Sequence, residues 1–386
     1  MTSKSEVSAT ARSGHPTATP AHHARAGMPA SAWVFPLLAA ALFAATSIFH
    51  LDFAPTLFGF GFAAVLLVVL FGTVFAAVYH AEALAHRLGE PYGTLLLTLA
   101  VTLIEVSLIT TMMLGDKVVP TLARDTVFAV VMIVCNGLVG LCILIGGLRF
   151  KEQEFHISGV SLYLSVLIVL STIILILPNY TFADPGPFYS AAQLAFVSLT
   201  TVVLYVLFLY TQTFRHRDYF VDEHVAAAPA AAGAAAGSLA LSLVLLAVAL
   251  LGVVLLAEKF SHVVETATEW MGAPVAFAGL VVAGLILLPE SLAAIGATRR
   301  NDLQKGINLS LGSSLATIGL TIPAVSTVAL VLDKRLVLGL ESQEAVLLVL
   351  TFFVSMLTFG TGRTNILFGL VHLVVFAVFV FLVFIP

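Results

Sequence analysis

Charge is scarce in this sequence. Asp, Glu, Lys and Arg make up 10% of its 386 residues, and the formal net charge is −4. No basic domain is present, so the composition gives no footprint for nucleic acid. Cysteine is nearly absent: Cys135 and Cys142 are the only two. Seven positions apart in one apolar run, they sit on one helix face roughly 10 Å apart, beyond the reach of a mutual disulfide. Neither belongs to a zinc or redox motif. No Gly-rich phosphate loop is visible, which argues against a nucleotide-driven pump. His80, His262 and His372 stand far apart and make no catalytic pattern, so a membrane-embedded enzyme has little support. No cofactor is implied.

What the chain has in excess is apolar residues, at 60%. A soluble domain of this length does not sustain that balance. The apolar residues come in continuous runs of about twenty, the length a helix needs to cross lipid, rather than in short alternating segments of a barrel. Eleven runs qualify: 32–50, 57–80, 93–114, 125–147, 158–177, 188–211, 239–257, 274–297, 306–331, 344–361 and 364–385. The predicted fold is an all-α polytopic membrane protein whose main partner is the lipid bilayer. Nothing in the sequence specifies an oligomeric state.

Residues 1–30 are polar, with Glu6 their only acid, and read as a disordered cytoplasmic tail. Residues 212–238 start charged and end in low-complexity Ala/Gly, as a flexible linker would. This divides the chain into a first unit, 31–211, and a second, 239–386. With the N-terminus inside, twelve Lys and Arg fall on the cytoplasmic side and five on the other. The positive-inside rule then places the N-terminus in the cytoplasm and the C-terminus outside. Trp33 and Trp270 fall at span ends, as interfacial aromatics do, and the Phe-rich last run (Phe376, Phe379, Phe381, Phe384) is expected to face lipid.

The two units resemble each other. HAEALAHRLGEPYG (80–93) lies over VVETATEWMGAPVA (263–276), pairing Glu82 with Glu265. LIEVSLI (103–109) lies over LPESLAA (288–294), pairing Glu105 with Glu290. Residues 123–143 lie over 301–321, pairing Cys135 and Asn136 with Ser313 and Ser314. Five helices per unit is an odd number, so the two copies enter the membrane in opposite senses and the first helix is left over. Inverted repeats build a shared midplane site in many secondary transporters.

The polar residues inside the runs mark that site. Glu105 falls about twelve residues, or ~18 Å of rise, into its run. Thr98, Thr102 and Glu105 share one helix face. Glu290 follows Pro289, whose missing N–H can bend the helix and free carbonyl oxygens. Ser310, Ser313, Ser314, Thr317 and Thr321 step by three or four along the next run. Carboxylates at such depth are costly unless a cation or proton occupies them. The donors are all oxygen, a set suited to Ca²⁺ or an alkali cation rather than zinc. Asn136 is either a further ligand or a hydrogen bond to a neighbouring helix. The expected site is therefore Glu105 and Glu290 as cation and proton carriers, completed by Thr102, Asn136, Ser313, Ser314 and Thr317. Glu82 and Glu265, near the ends of their spans, are candidate entrance carboxylates on opposite sides of the membrane.

The stretch LLPESLAAIGATRRNDLQKGINLSLGSSLATIGLTIPAV, with EPYGTLLLTLAVTLIEVSLI and ARDTVFAVVMIVCNGLVGL, resembles the bacterial ChaA-type cation/proton antiporters. These lie near the cation/proton exchanger branch of the calcium/cation antiporter superfamily. The likeness covers roughly 32–386 outside the linker. It implies an eleven-helix antiporter of the bacterial inner membrane, exchanging Ca²⁺, or alternatively Na⁺ or K⁺, for protons. The superfamily's Gly-Asn-x-x-Glu pattern matches here at Glu105 and Glu290 but not at its Gly-Asn, which is Val101-Thr102 and Ile286-Leu287. Two amide ligands are missing, which leaves room for a monovalent cation. The Gly-Ser-Ser of the second repeat is matched by Gly312-Ser313-Ser314.

Overall fold

The computed structural model describes residues 28–49, 53–89, 92–114, 120–220 and 239–385. Most of the expected N-terminal tail (1–27) and of the linker (221–238) lies outside the described residues.

The first unit runs α1 (Ser31–Phe49), α2 (Leu57–Leu88), α3 (Tyr92–Leu114), α4 (Leu122–Met132), α5 (Val139–Phe150), α6 (Ile157–Ser171) and α7 (Ala191–Tyr210). The second runs α8 (Leu239–Met271), α9 (Ala276–Ile286), α10 (Leu288–Arg299), α11 (Leu303–Ala316), α12 (Ile322–Val331), α13 (Ser342–Phe359) and α14 (Ile366–Phe384). Among the described residues, nine helical stretches are long and apolar enough to cross a membrane. The expected eleven is reached only if the bent pair α9–α10 and the shorter apolar stretch Thr98–Met113 of α3 each count as a span.

The two units share their order. With α1 set aside, each begins with an unusually long helix, 32 residues in α2 and 33 in α8, and these two pack together. In each, the third span is interrupted by a π turn: Ile133–Leu138 joins α4 to α5, and Thr317–Thr321 joins α11 to α12. A π turn inserts a residue into the helical ladder and commonly sits at functional positions. The α9–α10 bend is 55°, with Pro289 at the start of α10, where the ring fits and no interior hydrogen bond is lost.

Helix ends are capped where backbone donors leave the bundle. Ser190 and Gln193 form a capping box on α7, Asp302 accepts from Lys305 N at 3.0 Å on α11, and Asn365 caps α14. The expected linker begins later than position 212. The helix continues as a π turn over Thr211–Arg215, a 3-10 turn follows over Arg217–Tyr219, and Phe220 is buried against Tyr163 and Phe208. Two short strands, β1 (Gln153–Glu154) and β2 (Arg363–Thr364), pair antiparallel on the same face and join the two units.

The helices are apolar on most sides because one side meets lipid and the other meets neighbours. Leu66, Leu70, Leu108, Leu167, Val253, Phe260 and Leu311 are fully buried between them. α5 and α14 approach closely: a Cβ on Gly369 would stand 2.9 Å from Gly140 O, so only glycine fits there. The lipid-facing expectation for the last run holds at Phe381 and Phe384, which are exposed. It does not hold at Phe379, which is buried edge-on against Phe128 with ring centroids 5.4 Å apart. The last helix thus has a core face as well as a lipid face.

Candidate functional site

α3 carries Glu105 into the interior, where the side chain is 1% exposed. Its Oε2 accepts hydrogen bonds from Thr317 Oγ1 at 3.0 Å and Thr321 Oγ1 at 2.8 Å. Both threonines lie on the π turn that ends α11, and the widened turn points the two hydroxyls at one oxygen. The contact therefore joins the first unit to the second. Glu105 Oε1 is buried and has no hydrogen-bond partner among the described residues.

Glu290 comes in at the first turn of α10, directly after the bend. Its residue is half-buried, yet its Oε2 is also buried without a partner among the described residues. Both glutamates line one cavity of about 180 Å³. Thr102, Ser313 and Thr317 line it with them, as do Thr98, Asn308 and Gln212, which the sequence reading did not assign to the site. Tyr163 and Tyr205 stand on its wall. Gln212 donates to Tyr163 Oη at 2.7 Å, and Asn308 donates to Phe220 O. The cavity runs from the glutamates toward the face where α7 ends and α8 begins, here termed the linker face.

Not every expected ligand reaches this cavity. Ser314 is fully buried outside its lining, with Oγ unpartnered among the described residues. Asn136, also fully buried, is outside the lining as well. Its Nδ2 donates to Thr351 Oγ1 at 2.8 Å and its Oδ1 faces His372 Nδ1 at 3.2 Å. His372 Nε2 is 2.9 Å from Thr358 Oγ1. The amide is thus occupied on both sides, by α13 and α14, which is the interhelical option of the two left open by the sequence. Glu82 is exposed on α2, lining a separate groove with Pro289 and close enough to interact electrostatically with Glu290. Glu265 on α8 is half-buried and accepts from Ser261 Oγ at 2.7 Å.

Two helical units of like order whose carboxylates converge on one interior cavity fit a secondary ion transporter of the membrane. The comparisons with known proteins make the class specific. The family model of the sodium/calcium exchanger proteins matches residues 56–214 and 241–385. A putative ionic transporter, y4hA, from Sinorhizobium fredii is 46% identical over 319 residues, covering 82% of this chain and 87% of that one. The sodium-potassium/proton antiporter ChaA from Escherichia coli is 38% identical over 322 residues, again 82% and 87%. A solved structure, the Ca²⁺/H⁺ antiporter protein YfkE, superposes with a TM-score of 0.70 at 18% identity, covering 92% of this chain and 99% of that one. The chain belongs to the sodium/calcium exchanger family, and within it is a ChaA-type cation/proton antiporter.

Proposed function

We propose that the chain exchanges Ca²⁺ for protons, with Glu105 and Glu290 binding either the cation or protons and never both at once. The observation that supports this most is the shared cavity holding two carboxylates, each with a buried oxygen that no group among the described residues satisfies. A buried ionised oxygen without a partner is costly, so cation or proton must supply what the protein withholds. Two carboxylates carry the charge that one divalent cation balances. Thr102, Ser313 and Thr317 would add oxygen ligands around it, and inverted repeats give access to it from each face in turn. Glu82 and Glu265 would guide ions at the two entrances. The N-terminus and the linker face would lie in the cytoplasm, the C-terminus outside, in a bacterial inner membrane.

A second reading, Na⁺ or K⁺ as the main cation, is favoured by a specific feature. Leu287 and Thr102 stand where carboxamides would otherwise flank the glutamates, so the set is poor in strong neutral ligands. The name of the 38% identical relative points the same way.

Proteoliposomes holding a pH gradient test both readings. Ca²⁺ added alone at low concentration is expected to collapse the gradient. Collapse by Na⁺ or K⁺ alone transfers the assignment to the second reading, and no response to any of the three removes cation/proton exchange altogether.

The threonine pair gives a finer check. Each donated O–H favours the ionised carboxylate, which is the form that binds cation. Replacing both Thr317 and Thr321 by valine removes two charge-assisted bonds from Glu105, and the apparent cation affinity in the same assay should fall about tenfold or more. An unchanged affinity at every pH would show that these hydroxyls do not set the state of Glu105.

A further inference from the structure

On the face opposite the linker lies a second opening, a crevice of about 310 Å³ between α4, α9, α13 and α14. The repeat relation pairs α3 with α9, α4 with α11, α6 with α13, and α7 with α14. The cavity that holds the glutamates opens between α3, α11, α6 and α7. The crevice is therefore its inverted counterpart, helix for helix.

The two differ in one respect. On the linker face, α3 and α11 stand apart, with the cavity between Thr98 and Asn308. On the far face, the equivalent helices α9 and α4 touch. A Cβ on Gly279 of α9 would lie 2.8 Å from the backbone carbon of Asp125 and 2.9 Å from the backbone N of Thr126. Those are backbone atoms at the first turns of α4, so no side-chain rotation relieves the overlap. The same turn of α4 is fastened from its other side. Arg124, 7% exposed, donates through Nε to Asp125 Oδ1 at 2.8 Å and through a guanidinium NH₂ group to Gly339 O at 3.1 Å. That ties α4 to the segment leading into α13. One helical turn further in from Gly279, on the same face of α9, Ala283 is fully buried.

We propose that the Gly279–Asp125 backbone contact, held by the Arg124 tether, is the seal on the far-face route to Glu105 and Glu290. It rests on the alternating-access reading above. Glycine at 279 lets α9 lie flat on α4 while the linker side is open. Any side chain there opposes this state and favours the inverse one, in which the far-face crevice deepens and the linker-face cavity narrows.

Thiol labelling tests the seal without measuring transport. In a Cys135→Ser, Cys142→Ser background in liposomes of known orientation, single cysteines replace Ala283 behind the seal and Ser313 in the linker-face cavity. A membrane-impermeant maleimide is applied to one face at a time. Adding Gly279→Ala is expected to raise labelling at 283 from the far face at least about fivefold and to lower labelling at 313 from the linker face. Arg124→Gln, which adds no bulk, should move both rates the same way by a smaller factor, and it decides the matter if Gly279→Ala does not fold. Unchanged rates at both positions in folded protein would overturn the seal. Absence of proton exchange by the unsubstituted protein would instead count against the transport reading, so the two failures are separable.

Discussion

Glu105→Gln and Glu290→Gln should each reduce cation-driven proton movement in liposomes to the protein-free background, a loss of about 100-fold or more. Glutamine keeps the shape and an acceptor oxygen but carries no charge and takes up no proton near neutral pH. At Glu105, Thr317 and Thr321 can still donate to an amide oxygen, so the packing between α3 and the π turn persists and the protein should stay folded. What disappears is the ability to trade a proton for a cation. The two variants should fail alike because the carboxylates share one cavity, whose described lining holds no Lys or Arg. Normal elution on size exclusion, with transport at background, is the expected pair of results. If either single variant retained half of the wild-type rate, that carboxylate would be outside the exchange cycle, and the remaining one would have to carry both ions alone.

How much of this was legible in the sequence follows from what stands out against an apolar background. Glu105 and Glu290 did, because a carboxylate in the middle of an apolar run is costly in lipid unless a cation, a proton or hydrogen bonds satisfy it. Pro289 did, because its effect on a helix is local. The hydroxyl stripe pointed to Thr317 but could not choose among its members. Ser313 and Ser314 are about 100° apart around the helix, and the sequence does not say which of them turns toward the cavity. The π turns carry no signal either, since Ile133–Leu138 and Thr317–Thr321 are made of the same residue types as the helices on each side. Yet one of these turns aims both threonines at Glu105. The closing contact at Gly279 was equally silent, because a glycine in an apolar run looks the same whether a neighbouring backbone lies on it or not. Tyr163, Tyr205 and Gln212 were missed because their role depends on where α6 and α7 end relative to α11, a matter of tertiary placement.

Asn136 shows the same limit from the other side and leads to the second large effect. A lone amide at mid-membrane depth fits a cation ligand and an interhelical clasp equally well, and its partner His372 is 236 positions away. The structure commits both ends of the amide. With Nδ2 donating to Thr351, Oδ1 is left as the acceptor, so His372 carries its proton on Nδ1 and receives the Thr358 hydroxyl at Nε2. Asn136→Ala would remove the amide that bridges His372 and Thr351, leaving the Thr351 hydroxyl short of a donor and the His372 ring held only by the Cys135 backbone and Thr358, between helices that also meet closely at Gly140 and Gly369. The expected cost is about 1–3 kcal/mol, read as a lower midpoint in thermal unfolding in detergent, with the apparent affinity for the transported cation kept within about threefold. His372→Ala should lower the midpoint similarly, and the double variant should lose little more than either single one, since both break the same link. The contrary result is just as readable. An unchanged midpoint with a tenfold weaker cation affinity would mean that the amide leaves His372 during the cycle and joins the glutamates as a ligand.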